Sequence, residues 1–154
     1  MGATISGGCA CGSVRYECAE APIAQMLCHC RDCQRASGSA FAALLVVASD
    51  SVSLTGQSLK QHAVKGVSGR TLNRRFCGEC GSPIGIARPE TPQVEFLHAA
   101  SLDDPAAFDP TLEVWMSSTD EWHPRHPRAQ KFDHGPGPAL RSLVEAHFNA
   151  RSAL

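Results

Sequence analysis

The spacing of the cysteines constrains this chain more than any other feature of its sequence. Seven of the eight cysteines lie in three short runs, which read GGCACG at 7–12, CHCRDC at 28–33 and FCGECG at 76–81. Spacings of Cys-X-Cys and Cys-X-X-Cys are typical of metal or redox sites. The first question is therefore how many metal sites these thiols can form and how many ligands each site would have.

Composition and charge indicate which cellular compartment and which classes of partner to expect for this chain. The net charge is −1, so the chain has no overall attraction for nucleic acid or for an anionic membrane. The N-terminal stretch MGATISGGCACG lacks the charged and apolar regions of a signal peptide. No run approaches the roughly 18 apolar residues that cross a bilayer. We therefore expect a cytoplasmic protein without nucleic-acid or membrane partners, where reducing conditions make a disulfide framework unfavourable.

Short apolar runs separated by Gly, Pro and Ser predict a mainly β, antiparallel fold. A short helix is predicted at 31–38, ending at Gly38, and 119–138 is predicted to be irregular. The sequence PALRSLVEAHFNARS at 138–152 predicts an amphipathic C-terminal helix. The apolar runs that we interpret as strands are 12–19, 23–28, 40–47, 51–56, 59–65, 69–77, 82–88, 94–101 and 111–117. The face predicted to be buried on the C-terminal helix carries Leu140, Leu143, Val144, His147 and Phe148.

Cys77 and Cys80 form a Cys-X-X-Cys turn with glycines, which lets backbone N–H groups point at the sulfurs. The alternative is a redox pair, but such a pair normally opens a helix in a βαβ unit, and the sequence has no such pattern. Cys9 and Cys11 would lie about 6.5–7 Å apart on a straight strand. Sulfurs around tetrahedral zinc are roughly 3.7 Å apart, so the chain must curl there. Together the four cysteines would close a structural zinc site that leaves no position for substrate.

Cys28, Cys30 and Cys33 supply three thiols, and three protein ligands with an open fourth position are typical of a catalytic zinc. The alternative is that these cysteines complete one four-ligand site, with another pair merely buried. His29 lies between two ligands, so we expect its side chain to point away from the metal, either supporting the ligands or facing solvent. Cys18 is in phase with Val14 and Tyr16, which indicates a buried free thiol.

A zinc ion with three thiolates carries a net charge of −1 and is a weak Lewis acid. Such a site can bind a fourth thiol and lower its pKa, which gives a nucleophilic thiolate at neutral pH. The chemistry that suits it is the making or breaking of a carbon–sulfur bond between a thiol and a small carbonyl compound.

Three segments, GGCACGSVRYE, CHCRDCQRASGSAF and RRFCGECGSPI, resemble in order and spacing the glutathione-dependent formaldehyde-activating enzyme family, which is related to centromere protein V. ASLDDP at 100–105 and the segment SSTDEWHP with Trp122 resemble the family more loosely. The resemblance covers residues 4–132. It implies an Mss4-like fold of antiparallel β-sheets with short helical turns and a C-terminal helix.

The resemblance also implies two zinc ions per chain, with the second site open to partial occupancy. The structural zinc would lie on Cys9, Cys11, Cys77 and Cys80, and the catalytic zinc on Cys28, Cys30 and Cys33. The implied reaction joins formaldehyde and glutathione to S-hydroxymethylglutathione, or reverses this, as a carbon–sulfur lyase. The expected partner is a small thiol such as glutathione, in a monomer or a homodimer.

Glutathione carries two carboxylates, so we expect an anion-binding set, with Arg31, Arg35, Arg74 and Arg75 as the candidates. Residues 4–132 would form the zinc-binding domain, and 133–154 an extension whose helix packs on it. Two other functions compete with the lyase. One is a zinc-stabilised, Mss4-like binding module without catalysis. The other is a methionine sulfoxide reductase of type B, which needs a catalytic cysteine downstream of its metal pairs, but no cysteine follows Cys80.

Overall fold

A computed structural model describes residues 4–153. In this part of the chain eleven strands form two sheets, with one short and one longer helix. The helices are α1 (Arg31–Ser37) and α2 (Pro138–Ser152). The strands are β1 (Ile5–Gly8), β2 (Arg15–Cys18), β3 (Ala24–Cys28), β4 (Ala42–Ala48), β5 (Val52–Thr55), β6 (Leu59–Lys65), β7 (Thr71–Cys77), β8 (Pro83–Ala87), β9 (Val94–His98), β10 (Leu112–Val114) and β11 (Gln130–Phe132).

The smaller sheet has the order β1-β2-β5, and both of its pairings are antiparallel. The larger sheet has the order β11-β10-β3-β4-β9-β8-β7-β6. Its pairings are antiparallel from β3 to β6, but β10 runs parallel to both β3 and β11. The predicted mainly β fold with short helical turns and a C-terminal helix is therefore confirmed, with a mixed arrangement at one edge. Long connections before and after β10 return the chain to that edge in the parallel direction.

The side chains of β4 contribute to two apolar cores, one on each face of the larger sheet. Its sequence AALLVVA is almost continuously apolar because β3 and β9 flank it and both of its faces are covered. Leu45 and Val47 face a core shared with the smaller sheet. Leu44 and Val46 face a second core, which contains Cys28, Cys30 and Cys33 and which α2 covers in part. We call this second side of the larger sheet the cysteine face.

The sequence located most elements correctly. α1 ends at Gly38, whose φ of 65° is left-handed and suits glycine. β1 and β11 were not predicted, because ISGG is short and rich in glycine and QKF lies in a segment interpreted as irregular. β11 forms because β10 offers it a free edge.

α2 has the predicted bounds, and it packs on the cysteine face through Leu140, Val144 and Phe148. The prediction was wrong for Leu143, which is 40% exposed. At 100° per residue its side chain points to the margin of the buried stripe. The division at residue 132 stays a prediction, and residue 154 lies outside the described residues. Neither α1 nor α2 has the length and apolar character that a membrane-crossing helix requires.

Candidate metal centres

Four cysteines meet where the two sheets come together. Cys9 and Cys11 lie in the connection between β1 and β2, whereas Cys77 ends β7 and Cys80 lies in the turn before β8. Their sulfur atoms all lie within 4.8 Å of one another. The Sγ–Sγ distance is 3.5 Å from Cys9 to Cys11 and 3.8 Å from Cys11 to Cys77. These separations fit the roughly 3.7 Å of a tetrahedral zinc site with four thiolates.

Two glycine turns curl the backbone around these sulfurs. Gly12 has φ of 79° and Gly81 has φ of 74°, both in the left-handed region. Gly12 N–H donates to the Cys9 carbonyl at 3.1 Å, and Gly81 N–H donates to the Cys77 carbonyl at 2.9 Å. Both cysteine pairs are therefore held by the same kind of tight turn. This curl brings the thiols far closer together than a straight strand would.

The surroundings of this four-cysteine cluster favour the thiolate at Cys80 and Cys9 but not at Cys77. The Cys80 N–H group lowers the pKa of Cys77, but burial and the contacts with the Cys9 and Cys80 thiols outweigh it and raise that pKa to about 11. The Ser82 hydroxyl and the N–H groups of Ser82 and Cys11 lower the pKa of Cys80 to about 5. Burial raises the pKa of Cys9, but hydrogen bonds from Val14 N–H and from neighbouring thiols outweigh it and lower the pKa on balance. Thiolate is the form that binds a metal. The donor set therefore fits a soft, tetrahedral metal ion.

Three further cysteines meet at the start of α1, on the cysteine face. Cys28 ends β3, Cys30 caps α1, and Cys33 lies in the first turn of the helix. Their sulfurs also lie within 4.8 Å of one another, and Cys28 Sγ is 3.5 Å from Cys30 Sγ. Within residues 4–153 no fourth Cys, His, Asp or Glu side chain joins this group. The structure thus brings the seven cysteines together in the two predicted groups, while the metal and the role of each group stay predictions.

The three thiols of this cluster differ in pKa. Hydrogen bonds with Cys28 and Cys33 lower the pKa of Cys30 to about 3. The same contact with Cys30, together with burial, raises the pKa of Cys28 to about 12. Hydrogen bonds to both neighbours and burial also raise the pKa of Cys33. Cys30 is thus the thiolate that the other two thiols stabilise, and three sulfur donors are poised for a soft cation.

His29 does not join the sulfurs, in line with the prediction, and its ring contacts Glu113 instead. Its side chain is fully buried, which excludes a solvated position. Its Nε2 lies 2.8 Å from Oε1 of Glu113, and Oε2 of Glu113 accepts a hydrogen bond of 3.1 Å from His126 N–H. Sequence reasoning missed Glu113. The available signal was a single carboxylate inside the short apolar strand LEV.

Cys18 belongs to neither cluster, which confirms the interpretation as a buried free thiol. It is fully buried in the core between the sheets. Its sulfur lies 3.3 Å from the Ser51 hydroxyl and 3.2 Å from the Glu20 carbonyl oxygen. These contacts satisfy the thiol without any metal.

The four arginines proposed for anion binding do not converge. Arg75 pairs with Glu95 at 2.5 Å. Arg74 lies close enough to His98 to reinforce the effect of burial, which lowers the pKa of His98 to about 4. Arg31 and Arg35 line a pocket of about 330 Å³ with the exposed Trp122, and no cysteine of either cluster borders that pocket.

A fifth arginine, Arg88, which the sequence did not single out, packs on the cysteine face. The guanidinium of Arg88 stacks over the ring of Phe96 at 4.1 Å from its centroid. Burial, and then the like charge of Arg70, lower the pKa of Arg88. Arg88 therefore packs its guanidinium against the apolar core that contains the three-cysteine cluster.

Two comparisons with known proteins bear on the segment that carries the clusters and on the fold. A sequence model of the family described as "Glutathione-dependent formaldehyde-activating enzyme" matches residues 4–118, a segment that contains both cysteine clusters. A crystal structure of a Rhodobacter sphaeroides protein is similar, with a TM-score of 0.51 and 20% identity over 66% of this chain and 92% of that chain. At this identity the likeness concerns the fold alone.

Proposed function

The chain belongs to the glutathione-dependent formaldehyde-activating enzyme family, and on this premise we propose that it is a zinc-dependent carbon–sulfur lyase. It adds a small thiol of the glutathione type to formaldehyde or a related small aldehyde, or catalyses the reverse reaction. The observation that carries the proposal is a group of three cysteine sulfurs without a fourth protein donor in residues 4–153, in a chain that also holds a complete four-cysteine set.

The two clusters would have different roles. Cys9, Cys11, Cys77 and Cys80 would hold a structural zinc, because four thiolates leave no open position. Cys28, Cys30 and Cys33 would hold a second zinc, whose chemistry when bound is to take a thiol as its fourth ligand and lower the pKa of that thiol. The donor sets of both clusters fit zinc in type and in spacing.

The chain's own residues would prepare the reaction in two ways. The three cysteines are only 5–7% exposed, so the substrate sulfur would meet the aldehyde in a site that excludes most water. The buried contact of His29 with Glu113 would fix the chain between Cys28 and Cys30. In the addition the thiol loses its proton, its sulfur bonds to the carbonyl carbon, and the carbonyl oxygen takes up a proton.

The test combines metal analysis with turnover. We expect two zinc ions per chain in the wild type and one in Cys30→Ala, which also loses the condensation of glutathione with formaldehyde. Cys18→Ala is the matched control, since Cys18 is a buried thiol outside both clusters. It should keep both zinc ions and the activity.

Two results would contradict the lyase. One is a single zinc per chain that Cys30→Ala leaves in place. The other is a protein loaded with two zinc ions that no thiol perturbs in an NMR and thermal-shift screen, a result that favours the binding module. The cytoplasmic location and the choice between monomer and homodimer stay predictions.

A further inference from the structure

A cleft lies between the two sheets, away from both cysteine clusters. It has a volume of about 590 Å³, and no cysteine borders it. Val52 and Leu54 of β5 line it from the smaller sheet, and residues of β6 to β9 line it from the larger sheet. Pro89 and Pro92 border it from the turn between β8 and β9, where the fixed φ of proline makes the chain rigid. The volume is within the range of sites that bind small molecules.

One row of residues across the larger sheet forms the floor of this cleft. Asn73 of β7, Ala87 of β8 and Glu95 of β9 pair in register, so their side chains share one face of the sheet. Glu95 also pairs with Val47, whose side chain belongs to the core between the sheets. The floor is therefore opposite the cysteine face. The small side chain of Ala87 leaves space between Asn73 and Glu95.

An ion pair crosses the floor. Arg75 Nη1 donates to Glu95 Oε2 at 2.5 Å, and the side chain of Glu95 is only 6% exposed. Removing two charges from water costs about as much free energy as their attraction returns, so a buried pair is a weak source of stability. The contact leaves Oε1 of Glu95 and further N–H groups of Arg75 available. The pair therefore offers an acceptor and donors to a molecule in the cleft.

Two side-chain amides add to this polar edge. Gln61 of β6 lies opposite Arg75 in the strand pairing, and Asn73 lies two residues before Arg75 on the same strand. Both amides border the cleft, but neither forms a hydrogen bond with another side chain or backbone group of residues 4–153. Each amide carries N–H donors and a carbonyl acceptor side by side. A few polar groups converging beside an apolar wall are typical of a preformed small-molecule site.

The charges at the cleft favour a neutral ligand. The charges of Arg75 and Glu95 cancel each other. Arg88 also borders the cleft, but its guanidinium lies over Phe96, whose side chain belongs to the core of the cysteine face. A charged ligand would therefore lie in the cleft without a counter-charge, which is costly.

The hydrogen-bonding groups and the shape narrow the ligand further. A flat ring suits a space between stacked sheets, which are about 10 Å apart. Glu95 accepts hydrogen bonds only, whereas each amide can donate one and accept another. The matching ligand edge has an N–H donor next to an acceptor atom. Nucleobases carry such edges, and the amides of Asn and Gln can pair with a base edge through two hydrogen bonds.

We propose that this cleft binds a neutral nucleoside through its base. The base lies over Ala87, donates an N–H to Oε1 of Glu95, and accepts a hydrogen bond from the amide of Asn73 or Gln61. Val52 and Leu54 cover its other face. The site shares no residue with either cysteine cluster, so the inference does not depend on the lyase.

The test is a titration of the zinc-loaded protein with adenosine, guanosine, cytidine and uridine, followed by NMR and calorimetry. We expect at least one of them to bind with a dissociation constant below about 1 mM. Its binding should shift the signals of Asn73, Ala87 and Glu95. The derivative of that nucleoside with its base N–H donors methylated keeps the ring and loses the donors. It should bind about ten- to a hundredfold more weakly, as for a lost hydrogen bond to a charged group.

Three variants make the result specific to the polar edge of the cleft. Asn73→Leu and Gln61→Leu each remove an amide, and at least one of them should bind the nucleoside about three- to tenfold more weakly, as for a neutral hydrogen bond. His62→Leu is the matched control, because His62 is exposed and its side chain points to the other face of β6. It should keep the affinity. Urea unfolding shows that each variant is folded.

The outcomes separate this inference from the proposed function. A wild type that binds none of the four nucleosides overturns the inference, as does equal affinity for the methylated derivative, which would indicate only an apolar slot. Binding that neither Asn73→Leu nor Gln61→Leu weakens also overturns it. Cys30→Ala should bind the nucleoside as the wild type does. A chain that binds the nucleoside but has no lyase activity would contradict the proposed function alone.

Discussion

Glu113 and His29 form a buried polar contact next to the loop that carries two cysteines of the three-cysteine cluster. Both side chains are fully buried, and Glu113 also accepts a hydrogen bond from His126 N–H. A buried carboxylate without partners is very unfavourable, so this pair is stable only while both members remain. The contact therefore links the position of the loop to a strand that is distant in sequence.

Removing the Glu113 carboxylate should destabilise the protein by a large amount. We expect Glu113→Ala to lower the free energy of unfolding by roughly 1–3 kcal/mol for each of the two donors, His29 and His126 N–H, that lose their acceptor. Glu113→Gln keeps the shape and the acceptor oxygen and should cost less. Urea unfolding measures both variants, with the exposed Glu121→Ala as the control. Equal stability of Glu113→Ala and the wild type would show that the contact does not hold the loop.

His98 makes the stability of the chain depend on pH. Burial, and then the positive charge of Arg74, lower the pKa of His98 from 6.5 to about 4. Between these values the unfolded chain binds a proton that the folded chain excludes. The free energy of unfolding therefore falls as the pH falls from 6.5 toward 4.

Replacing His98 should weaken this dependence. We expect His98→Gln to reduce the loss of unfolding free energy between pH 7 and pH 5 by about 2 kcal/mol. Urea unfolding at the two pH values, with zinc in excess, gives the difference. The exposed His62→Gln should keep the full dependence. The same slope in His98→Gln and the wild type would contradict this assignment.

Single residues also show what the sequence could predict about the site. The seven clustered cysteines followed from their spacing, because ligand spacing is a local property of the chain. Arg88 and Glu113 did not follow, since their partners, Phe96 and His29, are brought to them by strand pairing and packing. Cys18 could be set apart from the clusters because its phase matched its buried neighbours.

Among the elements, α2 adds a cover to the cysteine face outside the segment that matches the family. Its half-buried residues pack on the apolar core of that face, and Arg151 pairs with Asp50 at 2.9 Å. Exposed ion pairs contribute little. The apolar stripe should therefore provide most of the free energy that docks α2.

Two substitutions on α2 test whether its apolar stripe docks the helix on the cysteine face. We expect Phe148→Ala to lower the free energy of unfolding by about 2–3 kcal/mol, below the range for fully buried Phe because the side chain is half-buried. Leu143→Ala is the control on the same helix and should stay within about 0.5 kcal/mol of the wild type. Urea unfolding distinguishes the two. Similar losses in both variants would mean that α2 docks by another face.

The local sequence pattern was sufficient to predict some strands but not others. β4 could be predicted because its continuous apolar run indicates a buried strand, and β6 was located although LKQHAVK alternates only weakly. The parallel direction of β10 could not, because it depends on how the connections before and after β10 route the chain. β11 could not either, since only the free edge of β10 makes QKF a strand.

At the scale of the whole molecule, the four-cysteine cluster draws its sulfurs from both sheets. Cys9 and Cys11 lie in the connection between β1 and β2 of the smaller sheet, whereas Cys77 ends β7 of the larger sheet and Cys80 lies in the turn before β8. A metal bound there would therefore hold the core between the sheets closed. The three-cysteine cluster has no such reach, because β3 and α1 are adjacent in sequence.

This difference predicts opposite phenotypes for two cysteine variants. Cys77→Ser should prevent stable folding, because the free energy of binding a structural zinc is largely free energy of folding. Cys33→Ala should leave a folded protein that has lost its second zinc and its activity. Circular dichroism and urea unfolding report the fold, and metal analysis reports the zinc content. A chelator should accordingly remove zinc in two stages, with loss of structure only at the second. If Cys77→Ser and Cys33→Ala unfold alike, the division into a structural and a catalytic cluster is wrong, since only a link between the sheets makes one set of thiols indispensable to the fold.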